Sequence, residues 1–203
     1  FLSRNPGLPQ GMKGRIKVAQ YALMIPPVGG NEPATLAFNL VFGTLDVKIK
    51  ALSLLGAVAK RTMPVLKDFL EHPDSIVRES AADSVAKAGA KLALPVFAGL
   101  LKREKDPNVV YAVVRNLGEI KSPKSAGLLR PYVSDEREDI AIIAIKGLSK
   151  VKSSKDTQLF LKCLDDPRWR VRVAALDAVA ELRMNEAAPS VERLVDDKDE
   201  FVR

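Results

Sequence analysis

Asp74-Ser75-Ile76-Val77-Arg78-Glu79-Ser80-Ala81-Ala82-Asp83-Ser84-Val85 is a stretch that the chain writes again and again. Moving it forward by 32 residues puts Val77 on Val109 and Val85 on Leu117. Further steps of 31 reach Ile140, Val171 and Val202, and steps of 30 and 31 backwards reach Val47 and Ile16. A second series runs in parallel through Pro33, Pro64, Pro95, Gly127, Gln158 and Pro189. Self-similarity at a fixed period of this length is the signature of a solenoid, in which each unit contacts only its neighbours. The expected fold is therefore all-α, a single array of two-helix units over residues 12–203. Units start near residues 12, 46, 74, 106, 138 and 168, after an irregular lead-in over residues 1–11 that carries two Pro and two Gly.

Each unit opens on an acidic or Asp-Pro turn: Asp46, Pro73-Asp74, Asp106-Pro107, Glu138-Asp139, Asp166-Pro167 and Asp199-Glu200. Acids there can accept from the unpaired amides of the next helix and complement its dipole. A first helix, A, follows with apolar residues at helical spacing, as in Val77, Ala81, Val85 and Ala88, or Val171, Ala175, Val179 and Leu182. A second helix, B, is expected to open near the proline series. It carries four apolar columns: Val65, Val96, Leu128, Leu159; Leu66, Phe97, Leu129, Phe160, Val191; Phe69, Leu100, Tyr132, Cys163, Leu194; and Leu70, Leu101, Val133, Leu164, Val195. Val202 occupies the helix A anchor of a further unit beginning at 199, so the array reads as part of a longer protein.

These residues carry a resemblance. The unit Asp166-Pro167-Arg168-Trp169-Arg170-Val171-Arg172-Val173-Ala174-Ala175 resembles the first helix of the HEAT-like repeats first described in phycobilisome lyases. Pro73, Val77-Arg78 and Ala81-Ala82 match it again, whereas Val110 and Ala141 replace the arginine, so any arginine ladder is incomplete. The resemblance implies a right-handed superhelix with A helices outside and B helices lining a concave side. It is specific for fold and nearly silent on function, because such repeats serve many roles.

Catalytic constellations are absent from the sequence. The one histidine, His72, sits in a turn, and the one cysteine, Cys163, sits in a core column and reads as an inert thiol. A single cysteine also fits a reducing compartment, which points to the cytoplasm. Zinc-type His/Cys clusters and a phosphate-binding glycine loop are missing. Trp169 with Arg168, Arg170 and Arg172 offers a basic-aromatic patch, but it is also the common wording of the repeat's turn. No cofactor is indicated, and an enzyme is not expected.

The chain reads as a non-catalytic scaffold for another protein, which holds a peptide or helix along the B side. The outward B positions mix five basic with five acidic residues, unlike the one-sign stripe that a nucleic-acid groove needs. Uncharged runs lie between Glu32 and Asp46 and between Lys91 and Lys102. Helices apolar all round are buried on two faces or offer a patch to a partner. The candidate contacts are Leu36, Leu40, Lys67, Ala98, Gly99, Lys102 and Arg130. An alternative is nucleic-acid or anionic-surface binding through Lys13, Arg15, Lys17, Lys48 and Lys50. Residues 1–61 hold eight basic residues against two acidic ones, which is +6 of the chain's net +7. A further alternative, implied by the resemblance alone, is a bilin lyase or a helper subunit of one.

Overall fold

The computed structural model describes residues 10–152 and 156–203, so the lead-in over residues 1–9 lies outside the described residues. Twelve α-helices make up the described part: α1 (Gln10–Met24), α2 (Pro33–Phe42), α3 (Leu45–Gly56), α4 (Ala59–Phe69), α5 (Ser75–Ala86), α6 (Ala90–Leu101), α7 (Pro107–Ile120), α8 (Pro123–Leu129), α9 (Glu138–Val151), α10 (Thr157–Cys163), α11 (Trp169–Glu181) and α12 (Ala188–Arg193). Short 3-10 turns over Arg130–Ser134 and Leu194–Asp196 extend α8 and α12. The chain forms two compact units that meet inside α7, one up to Val109 and one from Val110.

In the first unit α3 stacks on α5 and α4 packs on α5; in the second, α9 stacks on α11, α8 packs on α9 and α10 on α11. The A anchors Val77, Val109, Ile140 and Val171 are fully buried, as are Phe97, Leu129 and Phe160 of the second B column. Each buried Val, Leu or Phe stabilises by about 1.5–3 kcal/mol. These burials follow the repeat register.

Four features depart from the sequence reading. First, α1 begins at Gln10, two residues earlier than expected, and does not stack on α3 as α5 does; it packs on α2 and α4. Its only fully buried apolar side chain is Tyr21, while Ile16 is half-buried, so α1 lacks the anchor stripe of an A helix. Val47, the expected anchor of α3, is 37% exposed. Second, α4 and α6 open at Ala59 and Ala90, which leaves Pro64 and Pro95 inside helices. A proline there cannot donate to the carbonyl four residues back. Those carbonyls belong to Lys60 and Lys91, both exposed, where water can take the bond. Third, a further column of small residues is buried in or just before the first turn of each B helix: Thr62, Ala93, Ser125, Asp156 and Ala187 are at most 1% exposed. The Thr62 hydroxyl reaches the carbonyls of Leu55 and Val58 at 3.2 and 3.3 Å. Fourth, the first B column is buried only at Val65, and Val195 is 65% exposed where the 3-10 turn rotates it outward.

The turns carry the ion pairs that join one repeat to the next. Arg78 donates through Nε and Nη2 to Glu104 at 2.8 and 3.0 Å, and through Nη1 to the carbonyls of His72 and Pro73. Arg172 repeats this arrangement with Asp197 at 2.8 and 2.6 Å and with the carbonyls of Asp166 and Pro167. Burial pushes the Glu104 carboxyl up, but Arg78 and the amides of Asp106 and Lys105 outweigh it and hold the group below its usual range. Where Ala141 replaces the arginine, Arg168 of the following turn donates instead to the carbonyls of Asp135 and Glu136. The expected caps are present at Asp74, which accepts from the Ile76 amide at 2.9 Å, and at Asp106, which accepts from Asn108 at 3.0 Å. Asp135 and Asp166 instead accept from the amides of Arg137 and Arg168, and those same arginines clamp them.

The turn after helix A holds a residue of positive φ at Gly89, Lys121, Lys152 and Arg183, with φ of 85°, 50°, 54° and 52°. The last three are exposed basic residues at helix C-termini, where a cation complements the dipole. In the second unit α7 and α9 approach closely at two glycines. A Cβ added to Gly118 would lie 2.6 Å from the Gly147 Cα, so backbone would have to move.

Gly118→Ala should destabilise by about 1–3 kcal/mol through overpacking, whereas Gly127→Ala, with nothing within 4 Å of the new Cβ, should be neutral or gain about 0.5–1 kcal/mol from reduced chain entropy. Urea unfolding of both variants checks this. Arg78→Ala should lose about 2 kcal/mol at neutral pH, the scale of hydrogen bonds to a charged group. Glu104 has a folded pKa below its unfolded value of about 4.3, so its share is present above that pH and is lost as pH falls through the folded value. The gap between Arg78→Ala and the parent protein should therefore narrow at about pH 3; a gap that is the same at both pH values would contradict the pairing.

Candidate partner-docking groove

Helices α4 and α6 are the B helices of neighbouring repeats in the first unit, and a groove of about 390 Å³ runs between them. Spacings of three and four residues place Met63, Lys67 and Glu71 on the α4 wall and Lys91, Pro95 and Gly99 on the α6 wall. Leu92 and Val96 complete an apolar floor, the first 36% exposed and the second half-buried. Gly99 lies open: a Cβ built there meets only the Arg103 guanidinium at 3.8 Å. Arg103 donates to the Gly99 carbonyl at 3.0 Å and pairs with Glu71 across the groove.

Of the residues expected to meet a partner, Lys67 and Gly99 line this groove, Ala98 is half-buried beside it, and Lys102 is exposed near the end of α6. Leu36 and Leu40 correct the expectation, since both are core, 1% and 0% exposed. The uncharged α2 buries one face and turns Phe38 and Phe42 outward instead, at 55% and 47%, with their ring centroids 5.2 Å apart. Arg130 lies in the second unit and is committed: its Nε donates to the buried Asp156 carboxylate at 2.5 Å. Met63, Leu92 and Pro95 are missed because the proline series suggests helices opening at Pro64 and Pro95. With the helix opening at Ala90, Lys91, Pro95 and Gly99 fall on one face.

The basic N-terminal set does not form one stripe. Lys13, Arg15 and Lys17 are two residues apart on α1, so successive side chains point to opposite sides. Lys17 lies 3.7 Å from Asp68 and 5.5 Å from the Tyr21 ring centroid, and Lys48 donates to the Gly43 carbonyl at 2.5 Å. Arg15 and Lys50 are exposed on α1 and α3. The Tyr21 hydroxyl donates to Asp68 at 2.9 Å; burial first, and then that carboxylate, raise its pKa and keep it a phenol. Asp68 is thus taken from two sides.

The remaining reactive candidates have structural partners. His72 accepts from the Asp74 amide through Nδ1 at 3.1 Å and stacks on Phe69; partial burial first, and then Lys48, lower its pKa. Burial pushes the Cys163 thiol up to about 11, with Asp166 adding to the effect, so it is not a thiolate near neutral pH. Trp169 stacks on Phe201 at 5.0 Å with Arg170 against its ring, while Arg168 and Arg172 are held by Asp166 and Asp197. That basic-aromatic patch is occupied from within. Among the described residues no group of three or more His, Cys, Asp and Glu could hold a metal ion, and no helix is long and apolar enough to cross a membrane.

Comparison with known proteins agrees with the architecture. A family model described as HEAT repeats matches residues 45–112, 100–176 and 133–203. Over 107 residues, 47% of this chain, the sequence is 34% identical to the phycocyanobilin lyase subunit alpha of Picosynechococcus sp.. That match takes in 39% of the relative, so the chain spans about two-fifths of the length of the curated relative it matches. The family matches cover more than three-quarters of the chain, on helices that pack in pairs at the repeat's own period, and the chain belongs to the HEAT repeat family.

Proposed function

We propose that this chain is a protein-interaction scaffold that holds a peptide or helix on the B-helix face of its first unit. The observation that carries the reading is the groove between α4 and α6, apolar at its floor and open above Gly99. A glycine in a helix costs about 0.5–1 kcal/mol relative to alanine, and here it leaves room for another backbone to come close. Stacked repeats give such a groove rigid walls, which lowers the ordering cost of binding. Catalytic chemistry is not part of the reading, since His72 accepts a hydrogen bond within its turn and Cys163 is buried in the core.

The relative's name supports a second reading, in which this chain is one subunit of a phycocyanobilin lyase. Mixing the chain with phycocyanobilin and following the visible spectrum tests it; an unchanged spectrum at excess protein would remove a bilin-holding role. The scaffold reading is tested by selecting peptides from a displayed random library against this chain. Selected peptides should bind the parent and lose at least about tenfold in affinity for the Ala98→Glu, Gly99→Glu double variant, as expected when a charge enters an apolar contact. Equal binding to both proteins, or no enrichment at all, would contradict a site on this face.

A further inference from the structure

We infer that the occupant of the groove between α4 and α6 is an acidic peptide segment with an apolar side chain between its acids. This rests on the scaffold reading and names the chemistry of the partner. The groove's own acid is neutralised within the protein, since Glu71 pairs with Arg103. Asp68, the other acid at the end of α4, is taken by Lys17 and Tyr21. Among the described residues no such partner meets Lys67 or Lys91 on the groove walls, or Lys102 beyond them. The mixed signs of the sequence therefore leave a net positive rim.

Lys91 on α6 and Lys102, the C-cap of that helix, are eleven residues apart, which is roughly 16 Å at the helical rise. The surface between them is apolar, formed by Leu92, Pro95 and the open Gly99. A partner that satisfies this surface puts carboxylates at the two ends and an apolar side chain in the middle. Nucleic acid fits it less well. The groove offers no aromatic ring on which a base could stack, and its floor would leave phosphates without cations.

The test uses fluorescein-labelled synthetic peptides of about 12 residues, the length needed to span the two ends in a helix. One has a central leucine–phenylalanine pair flanked by glutamates. A second replaces every glutamate by lysine, a third is polyglutamate, and a single-stranded DNA of matching charge is the fourth probe. Anisotropy is read at about 50 and 150 mM salt, which brackets the screening lengths of interest. The acidic apolar peptide should bind best at both salts. It should lose at least about tenfold with Lys67→Glu plus Lys91→Glu, as expected for paired charge reversals at an interface.

Gly99→Phe should also abolish binding by filling the groove, with an unchanged thermal melt because the position is open. Binding of the lysine peptide as tightly as the glutamate peptide would overturn the charge assignment. Equal binding of polyglutamate or DNA would overturn the apolar one and leave a generic attraction. The two readings also fail separately. If library-selected peptides depend on Gly99 but carry no excess of acids, the inference here falls and the scaffold stands. If no peptide depends on Gly99, both fall.

Discussion

Two helices of about twelve residues bury one face against each other and leave a second face with nothing in their own repeat to cover it. The structure of this chain follows from that shortage. α3 lies on α5, and α9 on α11, and in doing so they help bury Leu52, Leu55, Val77 and Val85 in the first unit and Ile140, Ala144 and Val171 in the second, which the partner B helix cannot cover alone. Polar groups join this packing only when they are satisfied. The buried Ser84 hydroxyl donates to the Leu52 carbonyl at 2.8 Å, and Ser149 donates to Glu181 at 2.9 Å. Both bonds run between stacked A helices, so they fix the register of a contact whose apolar part would tolerate some sliding.

At the ends of the helices the same joining is done by guanidinium groups. Arg78 and Arg172 satisfy two carbonyls of their own turn and one carboxylate of the next. An arginine fork suits this task, since it carries several fixed donors and never loses its charge. Where helix A lacks the arginine, at Ala141, the turn carbonyls are still served, but by Arg168 from the following repeat. The demand belongs to the turn rather than to the residue that usually meets it. At that position the repeat tolerates a missing ladder arginine because its neighbour reaches back to the same two carbonyls.

How much of this could be read in advance depended on the size and chemistry of the side chains involved. Val77, Val109, Ile140 and Val171 announced themselves, because a large apolar residue at a strict period has one common explanation. The column Thr62, Ala93, Ser125, Asp156 and Ala187 was silent: its members share only small volume, and a buried Asp looks like a surface residue until its Arg130 partner is seen. Pro64 and Pro95 misled for a physical reason, since a proline favours a helix start but is tolerated inside when the carbonyl it deprives faces water. Leu36 and Leu40 were misjudged because an uncharged helix gives no sign of which face is buried. The groove was half legible, through Lys67 and Gly99. Its other wall depended on where α6 begins.

The left-handed residues that close helix A bear on how the chain is cut. Gly89 takes a positive φ without strain, whereas Lys121, Lys152 and Arg183 hold one at a cost of about 1–2 kcal/mol each. All three are exposed, and all three are the side chains after which trypsin cleaves. Their spacing, 31 residues from Lys121 to Lys152 and again to Arg183, equals the repeat itself. A trypsin cut at any of the three would fall between a repeat's A helix and its B helix, at equivalent points of successive repeats. The residues that carry the turn's strain are thus also potential cleavage sites, placed at the period of the architecture.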